Sequence, residues 1–250
     1  MALNFNKKSL AVSVWGLASV LSPLLAADDF LSEEDLYEND VVEIERVNDP
    51  FESINRVTFK LNDFVYRNLV EPLADGYTAL TPDSVEAGAS NFFHNLKYPV
   101  RLAGNLLQGR LEGAWVETGR FAINTTVGVA GVFTPADSVD GFESIPSEDV
   151  GQAFGAWGIG EGPYLVLPLL GPSNLRELGG FFGDRAVNPW SQPFTVLDEW
   201  EWRTGYSVSS FVVRSPTLVE RYQQMKGSAI DPYSALKNAY TQYRRAAVEK

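Results

Sequence analysis

Apolar residues recur at steps of three and four positions along the first strongly patterned segment of the chain. The run starts behind Asp49-Pro50, a pair typical of a helix start, and stops before Glu71-Pro72. This spacing predicts a helix of about 20 residues with one apolar face. The residues of this apolar stripe are Phe51, Ile54, Val57, Leu61, Phe64 and Val65.

Proline pairs divide the next hundred residues into further helices. The pattern predicts one helix over 82–96 and a shorter one over 98–108, each opened by a proline in its first turn. Residues 112–130 keep the helical period, whereas 132–149 are predicted to form a loop. The helix over 112–130 has a face small enough for another backbone to approach closely, formed by Gly113, Gly119, Gly128 and Ala130.

The segment 150–175 is nearly uncharged, since Glu161 is its single charged residue. Prolines at 163, 168 and 172 interrupt it, so it cannot form one membrane-spanning helix. The pattern predicts a broken, apolar, hairpin-like element. Two interpretations stay open: a buried core segment of a soluble domain, or an element lying in or against a bilayer.

The C-terminal part is predicted to be helical again. Residues 198–226 are predicted to form one or two helices interrupted near Gly205 and Pro216, and Asp231-Pro232 starts a last helix. A cluster of three tryptophans suits either a core or the headgroup region of a membrane: Trp190, Trp200 and Trp202.

The first 27 residues have the layout of a secretory signal peptide. Lys7 and Lys8 precede an uncharged run that ends in Ala26-Ala27. The alternative is an uncleaved anchor helix, because the run is just long enough to span a bilayer. Residues 28–47 then form an acidic lead-in that we expect to be solvated and flexible.

Charge and cysteine content exclude several classes of partner and site. The formal net charge of −12 argues against nucleic-acid binding and against a basic patch on anionic lipid. The sequence contains no cysteine, so it forms no disulfide and carries no thiolate metal site or thioether-linked lipid.

Catalytic patterns are scarce along this chain. His94 is the one histidine and follows two phenylalanines on a predicted helix, a setting more typical of packing than of a general base. No Gly-x-Ser-x-Gly elbow occurs, and histidine or cysteine zinc ligands are lacking. The sequence therefore predicts a protein that is not an enzyme and that needs no cofactor or metal.

Several segments resemble the MlaA family, also called VacJ. The likeness covers about 46–245 in colinear order, and its most specific part is the run 158–168. The other matching segments are NDPFESINR at 48–56, SNF at 90–92, 105–109, 120–125 and DPY at 231–233.

This resemblance implies a mainly α, single-domain ring of helices with an amphipathic channel, monotopic in the membrane. The helical domain would span 48–245, followed by a tail over 246–250. Members remove mislocalised phospholipid from the outer leaflet of the outer membrane and pass it to a periplasmic carrier, MlaC-like. The implied location is the periplasmic face of the outer membrane, and porin trimers are implied partners.

Two sets of residues are candidates for the site. Seven are predicted to contact lipid acyl chains or the membrane: Phe154, Trp157, Tyr164, Leu165, Leu167, Leu169 and Leu170. Five are predicted to line the path with polar groups or to hold it together: Asn55, Arg56, Asn62, Asn124 and Thr125.

The chain departs from the family pattern at Asp28, where most relatives carry the lipidated cysteine. Attachment would then depend on embedded elements, an uncleaved signal or a partner. One rival hypothesis is therefore a soluble periplasmic module that binds lipid or another hydrophobe. A second rival is a lipase that uses a serine and His94.

Overall fold

Helices make up most of the described chain. The computed structural model describes residues 47–249 apart from 192, 193, 198 and 228, so the predicted signal peptide and all but Val47 of the acidic lead-in lie outside it. The mainly helical fold class is confirmed. The helices are α1 Glu52–Val65, α2 Glu71–Leu80, α3 Asp83–Leu96, α4 Tyr98–Leu107, α5 Leu111–Thr126, α6 Val150–Ala156, α7 Leu175–Val187, α8 Trp200–Gly227 and α9 Pro232–Val248, and the strands are β1 Tyr164–Leu167 and β2 Gly171–Asn174.

The first predicted helix does not end at Pro72, so that boundary is wrong. Residues Tyr66–Val70 form a π-helical turn that joins α1 directly to α2. Pro72 lies in the first turn of α2. A π turn bonds residues five positions apart instead of four, so it interrupts the α-helical pattern of backbone hydrogen bonds. Proline is tolerated directly after it because the N–H groups in the first turn of a helix have no partner within the helix.

The interruption predicted in the C-terminal segment is also wrong, because α8 runs through Gly205 and Pro216 without a break. Pro216 has no N–H to donate to Val212 four residues earlier. The Ser215 hydroxyl donates to that Val212 carbonyl oxygen at 2.8 Å instead. A neighbouring side chain thus satisfies the carbonyl that the proline leaves open.

The segment 150–175 has two parts. Its start forms α6, which begins where the Asp149 side chain accepts a hydrogen bond from the Gln152 N–H at 2.7 Å. Its end confirms the predicted hairpin: β1 and β2 pair antiparallel, with Tyr164 opposite Asn174. Leu169 in the connection has φ +66°, a left-handed conformation that hairpin turns often require.

Two apolar clusters hold the elements together. One joins the π-helical turn and α2 to α8 through Val70, Ala74, Phe211, Leu218 and Val219. The other packs the hairpin on α9 through Tyr164, Val166, Tyr233 and Tyr240. Helix α9 continues to Val248, so the boundary predicted at 245 lies inside it, and Ala247 is buried.

Helix α5 ends at Thr126, so the helix end predicted at 130 is wrong and Gly128 and Ala130 of the predicted small face lie beyond it. The part of that face on α5 receives side chains rather than another helix. The Asn105 amide lies against Gly113, and the Phe142 ring lies against Gly119. Close backbone contact occurs elsewhere, where Gly180 of α7 meets Gly151 of α6. A Cβ atom on Gly180 would lie 2.4 Å from the Gly151 Cα.

We expect Gly180→Ala to lower the free energy of unfolding by about 1–3 kcal/mol, because two helix backbones would have to separate. Gly76→Ala is the matched control, since a Cβ on Gly76 of α2 meets no atom within 4 Å. That control should be neutral or stabilise the helix by about 0.5–1 kcal/mol. Denaturant unfolding of both purified variants measures the difference, and equal stabilities would contradict the close α6–α7 contact.

Candidate functional site

Two adjoining cavities lie between the helices. The larger has a volume of about 270 Å³ and is bounded mainly by α3, α4, α7 and α8. The smaller, of about 150 Å³, is bounded by α1, the hairpin, α7, α8 and α9. Four residues line both: Asp149, Phe181, Asp184 and Arg221. The two cavities therefore adjoin at a shared wall, and we refer to them together as the path.

The larger cavity is lined mostly by polar and charged side chains. A stripe of α8 residues at alternating three- and four-residue steps faces it: Ser207, Ser210, Arg214, Thr217 and Arg221. Lys97, Arg101 and Arg185 approach from the other elements. This half of the path suits the polar or charged end of a ligand.

The smaller cavity is richer in apolar and aromatic side chains. Val166, Leu167 and Leu170 of the hairpin form one side. The facing walls include Phe59, Tyr66, Leu218, Tyr222, Leu236 and Tyr240. This half suits hydrocarbon, so the whole path has the mixed polarity of an amphipathic ligand.

His94 lies in the wall of the larger cavity. His94 has solvent-accessible surface, but protein atoms surround it at a longer range and keep bulk water away. Both are expected for a side chain that faces a cavity. Burial, followed by the charges of Arg101, Lys97 and Arg120, lowers the pKa of His94 to about 3. The imidazole is therefore neutral between pH 5 and 8.

A buried ionic cluster fixes α9 against the start of α6 and α7. Arg244 donates to both oxygens of Asp149, at 2.7 and 3.0 Å, and also binds Glu177. Burial disfavours the Asp149 carboxylate, but the charge and hydrogen bonds of Arg244 outweigh it, so the pKa of Asp149 is lowered. Asp149 and Glu177 also line the path, which places this cluster in its wall.

The predicted polar residues Asn55 and Asn62 hold the edge of β1. The Asn55 amide donates to the Tyr164 carbonyl at 3.0 Å and accepts from the Val166 N–H at 2.9 Å. Two helical turns later, Asn62 donates to the Leu167 carbonyl at 2.9 Å and accepts from the Leu169 N–H at 2.7 Å. Side-chain amides thus take the place of a neighbouring strand.

The other predicted polar residues also connect elements. Arg56 binds both oxygens of Asp231 at the start of α9 and lies over the Tyr233 ring. Asn124 accepts from the Ala136 N–H at 3.1 Å, and the Thr125 hydroxyl accepts from Asn95 at 2.9 Å. Of the five, Asn62 alone also lines a cavity, the smaller one.

The seven residues predicted to contact lipid fall into separate places. Leu167 and Leu170 line the smaller cavity, whereas Tyr164 is 2% exposed and packs between Tyr233 and Tyr240. Trp157 is 54% exposed and lies beside Phe154. Leu165 and Leu169 are half-buried. The structure therefore does not bring these residues together as one surface.

The apolar stripe of α1 faces outward. Ile54 and Val57 are 66% and 67% exposed, and Leu61 and Phe64 continue the exposed row, while Asn55 on the opposite side is 2% exposed. This is the reverse of a helix in a water-soluble domain. An exposed apolar row of this length is typical of a membrane or protein contact surface.

Sequence reasoning missed the cationic residues of the larger cavity. Lys97, Arg185 and the α8 pair Arg214 and Arg221 come from three separate parts of the sequence, and none of them belongs to a motif. A signal was present, because the polar stripe of α8 has helical spacing over 207–221.

Within the described ranges, no helix is both long and apolar enough to cross a membrane. The same part of the chain contains no group of three or more histidine, cysteine or carboxylate side chains placed to hold a metal ion.

Helices around a path of mixed polarity, with an apolar row outside, define a helical, membrane-associated class of protein that lies in one face of the bilayer. The model of the MlaA lipoprotein family matches residues 47–247. The chain therefore belongs to the MlaA lipoprotein family.

Curated relatives and a solved structure agree with this assignment. An uncharacterised protein of Rickettsia bellii is 33% identical over 81% of this chain and 78% of its own length. The intermembrane phospholipid transport system lipoprotein MlaA of Haemophilus influenzae is 29% identical over 82% of this chain and 80% of its own length. A structure solved to explain the maintenance of bacterial outer-membrane lipid asymmetry is similar with a TM-score of 0.66 and 26% identity, covering 80% of this chain and 98% of that one.

Proposed function

We propose that this protein transports phospholipid within the bacterial cell envelope. It would remove mislocalised phospholipid from the outer leaflet of the outer membrane and pass it to a periplasmic carrier, and thereby maintain lipid asymmetry. The observation that carries the proposal is the pair of adjoining cavities with a shared wall, one lined mainly by polar and charged residues and the other richer in apolar and aromatic residues. A phospholipid has the same two-part chemistry. The name of the Haemophilus influenzae relative supports phospholipid transport.

The proposed position is the periplasmic face of the outer membrane, reached through a signal peptide. The apolar stripe of α1 supports contact with acyl chains, because Ile54, Val57, Leu61 and Phe64 are exposed on one side. The absence of cysteine from the sequence means that this contact would act without a cysteine-linked lipid. Porin trimers and an MlaC-like carrier are the partners implied by the resemblance.

Fractionation of cells that express the full chain, followed by lipid analysis of the detergent-purified protein, tests this function. We expect the protein in the outer membrane with copurified phospholipid. A soluble, lipid-free protein in the periplasm would contradict the proposal and favour the soluble binding module. A carbonate wash separates these alternatives further, since an embedded protein stays with the membrane.

His94→Ala tests the rival hypothesis of a lipase. We expect the variant to keep envelope lipid asymmetry, measured by labelling of outer-leaflet phospholipid, at wild-type level. The reason is that a neutral imidazole in a cavity wall serves lipid passage by shape alone, and alanine leaves the path open. Complete loss of asymmetry in a folded His94→Ala protein would favour the enzyme.

A further inference from the structure

The wall shared by the two cavities contains one apolar residue. Its four members are Asp149, Phe181, Asp184 and Arg221. Three of these side chains carry a charge, and Phe181 of α7 is the exception. Its aromatic ring borders both the mainly polar cavity and the more apolar one. A ligand that occupies both cavities at once therefore has to extend past this ring.

The two acidic members of the wall are held by polar contacts. Arg244 donates to both oxygens of Asp149, at 2.7 and 3.0 Å. One oxygen of Asp184 accepts from the Val150 N–H at 2.9 Å. Moving either carboxylate out of the wall would break these bonds and leave polar groups inside the protein unpaired. The ring of Phe181 has no polar atom, so it can change rotamer without breaking such a bond.

The backbone that carries Phe181 is fixed, in contrast to its ring. A Cβ atom on the preceding Gly180 would lie 2.4 Å from the Gly151 Cα. A Cβ atom on Gly183, two residues after Phe181, would lie 2.5 Å from the Val150 Cγ1. Close contacts on both sides of Phe181 thus hold α7 against α6. A movement at this position is therefore a rotation of the side chain and not a shift of the helix.

Two neighbours on α7 contact the ring of Phe181. The Arg185 guanidinium lies 5.5 Å from the ring centre. The Phe182 ring meets it edge-on, with the two centroids 5.5 Å apart. A cation near the ring face and an edge-on ring each favour the observed position only weakly. Phe181 is also half-buried and borders open space in both cavities, so other rotamers have room.

We propose that Phe181 is a gate between the two cavities, whose ring separates them in this structure and rotates to admit a ligand that extends across both. This inference rests on the proposed lipid transport and names a residue that sets how fast a phospholipid enters and leaves. A gate changes the barrier and not the final complex. Association and dissociation should therefore change together, whereas the affinity should stay nearly constant.

Stopped-flow fluorescence of the detergent-purified full chain tests this proposal. The probe is dihexanoyl phosphatidylcholine, and the signal is tryptophan emission, because Trp190 lines the larger cavity. We expect Phe181→Ala to raise both the association and the dissociation rate constant at least about tenfold. The dissociation constant should change less than about threefold, since the open complex is the same.

Phe182→Ala is the matched control on α7. It removes the same side chain one position later, but Phe182 is 63% exposed and lines neither cavity. We expect wild-type rate constants for this control. Phe181→Trp, with a larger ring, should lower both rate constants. Phe181→Leu should raise them less than alanine does, and it keeps the test valid if the alanine variant fails the check of folding by thermal unfolding.

The outcomes separate the gate from the proposed function. Equal rate constants in Phe181→Ala and the wild type would overturn the gate and leave lipid transport standing. Faster dissociation alone, with weaker affinity, would make Phe181 a ligand contact and also overturn the gate. Equal acceleration in Phe182→Ala would show a general loosening of α7, with the same consequence. Absence of phospholipid binding by the wild type would overturn the gate and the proposed function together.

Discussion

Replacing Arg244 with methionine is expected to lower the free energy of unfolding by about 3–5 kcal/mol. The side chain is 7% exposed and binds two carboxylates that are nearly as buried, Asp149 and Glu177. Methionine fills similar space but leaves Asp149 without its paired cation and Glu177 with Arg176 alone. A loss of this size is a large part of the 5–15 kcal/mol that is typical of a domain. Denaturant unfolding of the purified variant measures it.

The pH dependence of unfolding gives a second readout of Arg244→Met. In the wild type the pKa of Asp149 is lowered, so its contribution is present above the ordinary carboxyl pKa of about 3.9 and is lost as the pH falls further. Without Arg244, burial raises the carboxyl pKa, and protonation relieves the cost. The deficit of the variant should therefore shrink between pH 7 and pH 4.

Arg245→Met is the matched control on the same helix. Arg245 pairs with Glu161 at 2.9 Å, but the two side chains are 31% and 21% exposed. Water screens this pair, and we expect a loss of about 1 kcal/mol or less. Equal losses in the two variants would show that the cluster around Arg244 has no special role in stability.

Changing Val57 and Leu61 together to glutamine is expected to release the protein from membranes while the fold stays intact. Both side chains are exposed on the apolar stripe, so no core contact is lost. Burial of one such side chain in hydrocarbon is worth about 1.5–3 kcal/mol, and two should change vesicle partition by a hundredfold or more. Flotation with phosphatidylcholine vesicles measures this partition and avoids a charge contribution from the lipid.

Lys60→Gln serves as the control for this pair, since it changes an exposed polar position of the same helix. We expect wild-type flotation for the control and matching circular dichroism spectra for all three proteins. Wild-type flotation of the double variant would mean that another surface holds the protein at the membrane.

Local signals in the sequence were sufficient for most helices. The Thr-Pro, Tyr-Pro and Asp-Pro pairs mark the starts of α3, α4 and α9, because a proline is tolerated at a helix start: Pro82 caps α3, and Pro99 and Pro232 lie in the first turns of α4 and α9. The same residue misled at Pro72 and Pro216. At Pro72 a π turn joins α1 directly to α2, and at Pro216 the Ser215 hydroxyl donates to the carbonyl that the proline leaves open; both effects depend on neighbours that a proline rule does not consider.

The candidate site was predictable only in part. Asn55 and Asn62 could be singled out, but their role as partners of β1 requires knowing that residues more than a hundred positions later lie beside them. The sequence also did not predict that the apolar stripe of α1 faces outward, because periodicity identifies the residues that share a face but not what that face contacts. The cationic cavity joins residues from three elements, and sequence order carries no information on that convergence.

The amides of Asn55 and Asn62 also bear on solubility before the protein reaches its final environment. A short apolar hairpin with an open edge is a template for pairing with strands of other chains, and thus for aggregation. Here the β1 edge is covered within the molecule by a helix that follows it across two turns. A partly folded chain in which α1 has docked would therefore already have lost one route to self-association.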